Sequence, residues 1–138
     1  MDFGFGFYAT TNRAQAVNFA GKVADRRKAG EAILNIYFVD EVEAFRQCRL
    51  LRFERPDEAW LDFVTANRQG AYRGRQYDLI YGPVANDDVY RVIALYMTGV
   101  LDKEQALTAL RIRRLFNQLV FATEKSLQHL HFEGRELV

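Results

Sequence analysis

The run Ala32 to Val39 (AILNIYFV) is apolar, rich in β-branched and aromatic side chains, and too short for a buried helix, so it reads as a strand. Around it, further short apolar runs alternate with segments of helical period, without the regular strand–helix–strand repeat of a parallel sheet. That mixture predicts an α+β fold.

The other elements follow from local signals. Phe3 to Thr11 is aromatic and glycine-punctuated, and reads as an extended opening strand. Asn12, with Gln15 three residues on, resembles a capping box for a helix reaching about Lys28, with Ala16, Ala20, Val23 and Ala24 on one face and Phe19 nearby. Leu50 to Phe53 is a weaker strand. Pro56 and Asp57 open a helix bearing Trp60, Leu61, Phe63 and Val64. Tyr77 to Tyr81 reads as a strand stopped by Gly82-Pro83. Asn86 or Asp87 caps a helix with Val89, Val92, Ile93 and Tyr96 on one face, ended by Gly99. Asp102 caps another, with Ala106, Leu107 and Leu110 inward. Leu119 to Phe121 is a short strand, Thr123 to Leu130 a helical turn, and His131 to Phe132 the last strand. Trp60, Phe63, Val64, Ile80 and Leu95 recur at helix or strand periods and are assigned to the core.

Composition narrows the function classes. The 138 residues contain two prolines and no Gly/Ser-rich linker, which predicts one domain, residues 1–138. With 19 Lys plus Arg against 18 Asp plus Glu, the net charge of +1 gives no bulk attraction to nucleic acid or an anionic membrane. The single cysteine, Cys48, excludes an internal disulfide. With no signal-peptide pattern and no apolar run of membrane-spanning length, it predicts a soluble cytoplasmic protein.

Several chemistries lack their residues. Ser126 is the only serine and lies in a helical segment, so a serine-hydrolase triad has no support. His129 and His131 have no third ligand in pattern, and no metal site is expected. Gly4-Phe5-Gly6 lacks the strand–GxGxxG–helix context of a dinucleotide fold. Arg68 to Arg75 reads as a solvated loop, and Arg111, Arg113 and Arg114 suit a helix C-terminus. A nucleic-acid reading through Arg73, Arg75 and Arg111 to Arg114 is the weakest of three kept open.

Two segments stand out: Phe3-Gly4-Phe5-Gly6-Phe7-Tyr8-Ala9-Thr10, followed by a helix reaching Phe19, and Phe116-Asn117-Gln118-Leu119-Val120-Phe121. In the first, Gly4 and Gly6 leave room for a ligand close to the backbone, with Tyr8 beside them. Phe19, eleven residues past Tyr8, is placed to return against the same pocket, and an aromatic face suits a flat heteroaromatic ring.

These segments resemble signature motifs of the poly(ADP-ribose) polymerase branch of the ADP-ribosyltransferase superfamily. The first resembles its G-x-G-hydrophobic-Tyr strand. The second resembles its strand beginning Asn-Glu, with Gln118 in place of the glutamate. The chain is more closely similar to a small bacterial family of that superfamily, a domain of unknown function associated with toxin–antitoxin pairs. That similarity rests on Asp2-Phe3-Gly4-x-Gly6-Phe7-Tyr8, Gln15-Ala16, Trp60-Leu61-x-Phe63-Val64-x-x-Asn67-Arg68, Tyr77-Asp78, Gly82-Pro83-Val84 and Gln118-x-x-Phe121-x-Thr123-Glu124.

The resemblance implies a split β-sandwich that binds NAD in its cleft and transfers ADP-ribose to an acceptor. Gly4, Gly6, Tyr8, Thr10 and Phe19 would bind NAD, with Phe19 on nicotinamide. Tyr8 and Gln118 would stand at the catalytic positions. The superfamily's upstream histidine has no counterpart after Met1, and Gln118 carries no charge, so weak NAD binding and little turnover are expected. The second reading is a non-catalytic interaction module. A first strand missing upstream would leave Phe3 to Tyr8, or a neighbour, as an open edge. That edge is expected to pair with an antitoxin-like protein or a second copy.

Overall fold

The computed structural model describes residues 2–28 and 30–138. In chain order the elements are β1 (Phe7–Ala9), α1 (Arg13–Arg27), β2 (Ile33–Phe38), α2 (Glu41–Gln47), β3 (Leu50–Arg52), α3 (Glu58–Arg68), β4 (Leu79–Val84), α4 (Asp87–Met97), α5 (Lys103–Arg111), β5 (Phe116–Phe121), α6 (Glu124–Leu127) and β6 (His131–Leu137). The mixture is α+β, as the pattern of runs predicts.

Each helix starts where a short polar side chain satisfies an orphan amide of the first turn. Asn12, Asp40, Asp57, Asn86, Asp102 and Thr123 accept from the backbone N–H groups of Gln15, Glu43, Trp60, Val89, Gln105 and Ser126. For α1 only half of the expected capping box forms. Asn12 accepts from the Gln15 amide, but the Gln15 Oε1 is buried without a partner. The helix α2, capped by Asp40, has no counterpart among the sequence-predicted elements.

Four strands form one sheet in the order β1-β5-β4-β3, with β3 and β4 parallel and the other pairs antiparallel. A second, two-stranded sheet pairs β2 with β6. Side chains alternate across the larger sheet. Ile80 and Val120 face α3, α4 and α5, in a core with Trp60, Leu61, Val64, Val89, Ile93 and Leu110. Leu79 and Phe121 face the other way, toward Ala44 and Cys48. On that side Phe7 meets Tyr37 of β2 edge-on at 5.2 Å, which docks the smaller sheet onto the larger.

Several boundaries differ from expectation. Only residues 7–9 of the opening segment pair as a strand, because Phe3 turns into the core between Phe53 and Phe63. Strand β4 does not stop at Gly82-Pro83 but runs through it to Val84. Its pairing with β3 ends at Tyr81, so the N–H that proline lacks costs no bond on that side. A Cβ on Gly82 would lie 2.9 Å from the Phe53 Cβ, and only glycine lets the two chains approach so closely. Strands β5 and β6 are longer than their apolar centres, because sheet pairing carries flanking polar residues with it. Leu95, expected in the core, is 36% exposed, since it stands off the α4 stripe of Val89, Val92 and Ile93. Among the described residues no helix is long and apolar enough to cross a membrane.

Trp60 is fully buried, and its Nε1 donates to the Pro83 carbonyl at 2.7 Å. Trp60→Ala is expected to cost ~3–5 kcal/mol in urea unfolding, against less than ~1 kcal/mol for Leu95→Ala. Equal losses at both sites would overturn this division between core and surface.

Candidate functional site

The register of β1 on β5 decides which of the candidate residues meet. Tyr8 lies opposite Val120 and Ala9 opposite Leu119, so Gln118, two residues from Val120, shares the Tyr8 face. Thr10, two residues beyond Tyr8, continues along that face, and its Oγ1 donates to the Asn117 carbonyl at 3.2 Å. On the other side of β5, Gln118 stands opposite Gly82, over which Phe53 and the tip of the Phe3 ring pack. Tyr8, Thr10 and Gln118 are thus brought together on the face that the large helices cover. All three are half-buried.

Phe19 comes from α1 and is 61% exposed. Two exposed ion pairs run from that helix to other elements, Arg13 to Glu136 of β6 at 2.6 Å and Lys22 to Asp87 of α4 at 3.0 Å. Phe19 shares a helical face with Gln15 and Lys22, and therefore lies on the side that reaches the start of α4. Two cavities of about 410 and 300 Å³ lie elsewhere. One is bordered by Thr65, Gln69, Tyr96 and Leu101, the other by Arg68, Tyr90, Ile93 and Thr98, and neither is lined by Tyr8, Phe19 or Gln118.

The two glycines are accounted for by the chain's own packing. Gly4 has φ +84°, and a Cβ there would lie 2.9 Å from the Asn67 Oδ1. On Gly6 it would meet Val120 Cγ1 at 2.7 Å and the Phe121 carbonyl at 2.9 Å, so glycine lets the segment press against β5.

The Tyr8 hydroxyl is committed locally. It donates to the Gly4 carbonyl at 2.6 Å and accepts from the Phe3 N–H at 3.0 Å, closing residues 3–8 into a ring. Burial, with a smaller contribution from nearby Asp2, pushes its pKa from 10.0 up to about 12. A folded-state pKa raised this way stabilises the fold fully below pH 10 and loses that contribution as pH climbs toward 12. Absorbance titration of the phenols should therefore show a late-ionising tyrosine that vanishes in Tyr8→Phe. An unchanged titration in that variant would overturn the assignment.

A second constellation escaped the reading of the sequence. Asp2 is buried and pairs with Arg68 at the end of α3, while its other oxygen accepts from the Ala85 N–H at 2.7 Å. The Arg68 guanidinium lies 4.6 Å from the Tyr90 ring centroid. One signal pointed here: an aspartate within an apolar run must find a cation or amides when buried. Asp2→Ala leaves the half-buried Arg68 without its carboxylate partner, and is expected to cost ~3 kcal/mol in denaturant unfolding. A loss within ~0.5 kcal/mol would show the pair to be dispensable.

The fold and these sites define a small α+β domain whose sequence-predicted polar site lies where β1 meets β5. The chain belongs to the family described as protein of unknown function (DUF3990), whose model matches residues 1–132. No curated protein and no solved structure matches it.

Proposed function

We propose that the domain is of the ADP-ribosyltransferase type, a split β-sandwich that binds NAD along the face carrying Tyr8, Thr10 and Gln118. The observation that carries this reading is the β1–β5 register, which sets those three side chains in one row with the small Gly82 beside Gln118. Exposed Phe19, on the α1 face whose Lys22 reaches Asp87, supplies an aromatic surface for nicotinamide. Gln118 hydrogen-bonds a ribose but gives little help to a cationic transition state, so binding outlasts turnover. In the same reading the domain is the toxin of a bacterial toxin–antitoxin pair and has an antitoxin-like protein as partner.

The committed Tyr8 hydroxyl and the uncharged Gln118 favour a second reading, a non-catalytic interaction module that keeps the fold. One set of measurements separates the two. Calorimetry with NAD and with nicotinamide should show weak binding that Phe19→Ala abolishes. Nicotinamide release should be near zero in the native chain and rise ~10-fold or more in Gln118→Glu, since a single preorganised interaction in a transition state is worth ~10²–10³ in rate. Binding of neither ligand, with no release from either form, would remove the enzyme reading and leave the module.

A further inference from the structure

The cavity of about 300 Å³ where the end of α3 meets α4 is bordered by Arg68, Tyr90, Ile93, Ala94, Met97 and Thr98. That volume takes a small organic molecule. None of Tyr8, Thr10, Phe19 and Gln118 borders it, so it stands apart from the face proposed for NAD.

Arg68 brings more donors to this cavity than the protein answers. A guanidinium carries five N–H groups and no acceptor. The Arg68 Nη2 donates to Asp2, its Nε is buried with no partner, and Nη1 makes no hydrogen bond among the described residues. The side chain keeps 17% of its surface accessible. The Tyr90 ring, its centroid 4.6 Å from the guanidinium carbon, covers one face, so an acceptor must approach in the plane of the N–H groups. Thr98 supplies the opposite polarity. Its hydroxyl gives its proton to the Leu95 carbonyl at 3.2 Å, which leaves the Oγ1 lone pairs as acceptors. Ile93, Ala94 and Met97 are the apolar part of the lining.

The charge in this place is already balanced. Asp2 neutralises Arg68, and its second oxygen accepts from the Ala85 N–H. A carboxylate ligand would bring a second negative charge to the same half-buried guanidinium and set its lone pairs against those of Thr98. A primary carboxamide satisfies both groups, its carbonyl oxygen accepting from Arg68 and its N–H donating to Thr98.

We infer that this cavity binds a small neutral carboxamide with a compact apolar body, held by Arg68 and Thr98 and packed on Ile93, Ala94 and Met97.

Proton–nitrogen correlation NMR of the full chain, titrated with cyclohexanecarboxamide and with cyclohexanecarboxylate, tests this. The carboxamide should shift the backbone amides of Ala94, Met97 and Thr98 and the Arg68 Nε–H saturably, with a Kd on the order of 1 mM. The carboxylate should bind ~10-fold more weakly. Thr98→Val keeps the shape and removes the acceptor, and should weaken the carboxamide about 5-fold. Ala94→Leu fills the cavity and should abolish the shifts, while the rest of its spectrum shows the variant folded. No saturable shift at these residues would overturn the proposal, and so would a response indifferent to Ala94→Leu. A carboxylate that binds as tightly as the carboxamide, or a Thr98→Val variant that binds as the native chain does, would overturn the assignment of the ligand class.

Discussion

The carboxylate of Asp2 is removed from water and must be answered by charge or by amides. It takes both, the Arg68 guanidinium at the end of α3 and the Ala85 N–H where β4 leads into α4. Three segments far apart in sequence are thereby tied at one point. Phe3, the next residue, is carried into the core against Phe53 and Phe63, and the Tyr8 hydroxyl closes the intervening loop on Gly4. That loop delivers β1 to the edge of the larger sheet. The row of Tyr8, Thr10 and Gln118 therefore depends on an ion pair of the buried Asp2 that makes no hydrogen bond to any of them.

Other segments with recognisable motifs prove to be architectural in the same way. Trp60 spans from α3 to the Pro83 carbonyl of β4, which draws the helical layer onto the sheet. Asp78 accepts from the Arg49 N–H and the Thr123 hydroxyl, both at 2.8 Å, joining the starts of β3 and β4 to the end of β5. The Arg49 N–H bond, with help from Thr123, holds the Asp78 carboxyl below its ordinary range despite some desolvation. These bonds help to fix the register of β5 on β4. A register slip of one residue would turn Gln118 to the opposite face of the sheet.

The two sheets meet different demands. The larger packs a hydrophobic cluster against each face, so most of its side chains are chosen by packing and its glycines by close approach. The smaller is held by the edge-on ring of Tyr37 against Phe7 and by the Arg13–Glu136 bond from α1, leaving β6 open to solvent. The row of Tyr8, Thr10 and Gln118 and the β6 edge, unpaired among the described residues, thus lie in separate parts of the fold.

The amino-acid sequence by itself determined what local physics controls. The α+β class, the short polar caps of α1, α3, α4 and α5, the strand at Ala32 to Val39 and the burial of Trp60 were all legible, because capping, periodicity and β-branched enrichment act within a few residues. The small helix α2, the passage of β4 through Gly82-Pro83 and the exposure of Leu95 were not. Each depends on a neighbour that only the folded chain supplies, such as the close approach of Phe53 to Gly82. For the candidate site, the residue types were visible as two separate segments. Their union on one face was decided by the pairing of β1 with β5 across more than a hundred residues, a contact that no local pattern encodes. Asp2 and Arg68 were individually plain in the sequence, yet their pairing was tertiary throughout, because burial creates the need for a partner and the fold alone determines which one is in reach.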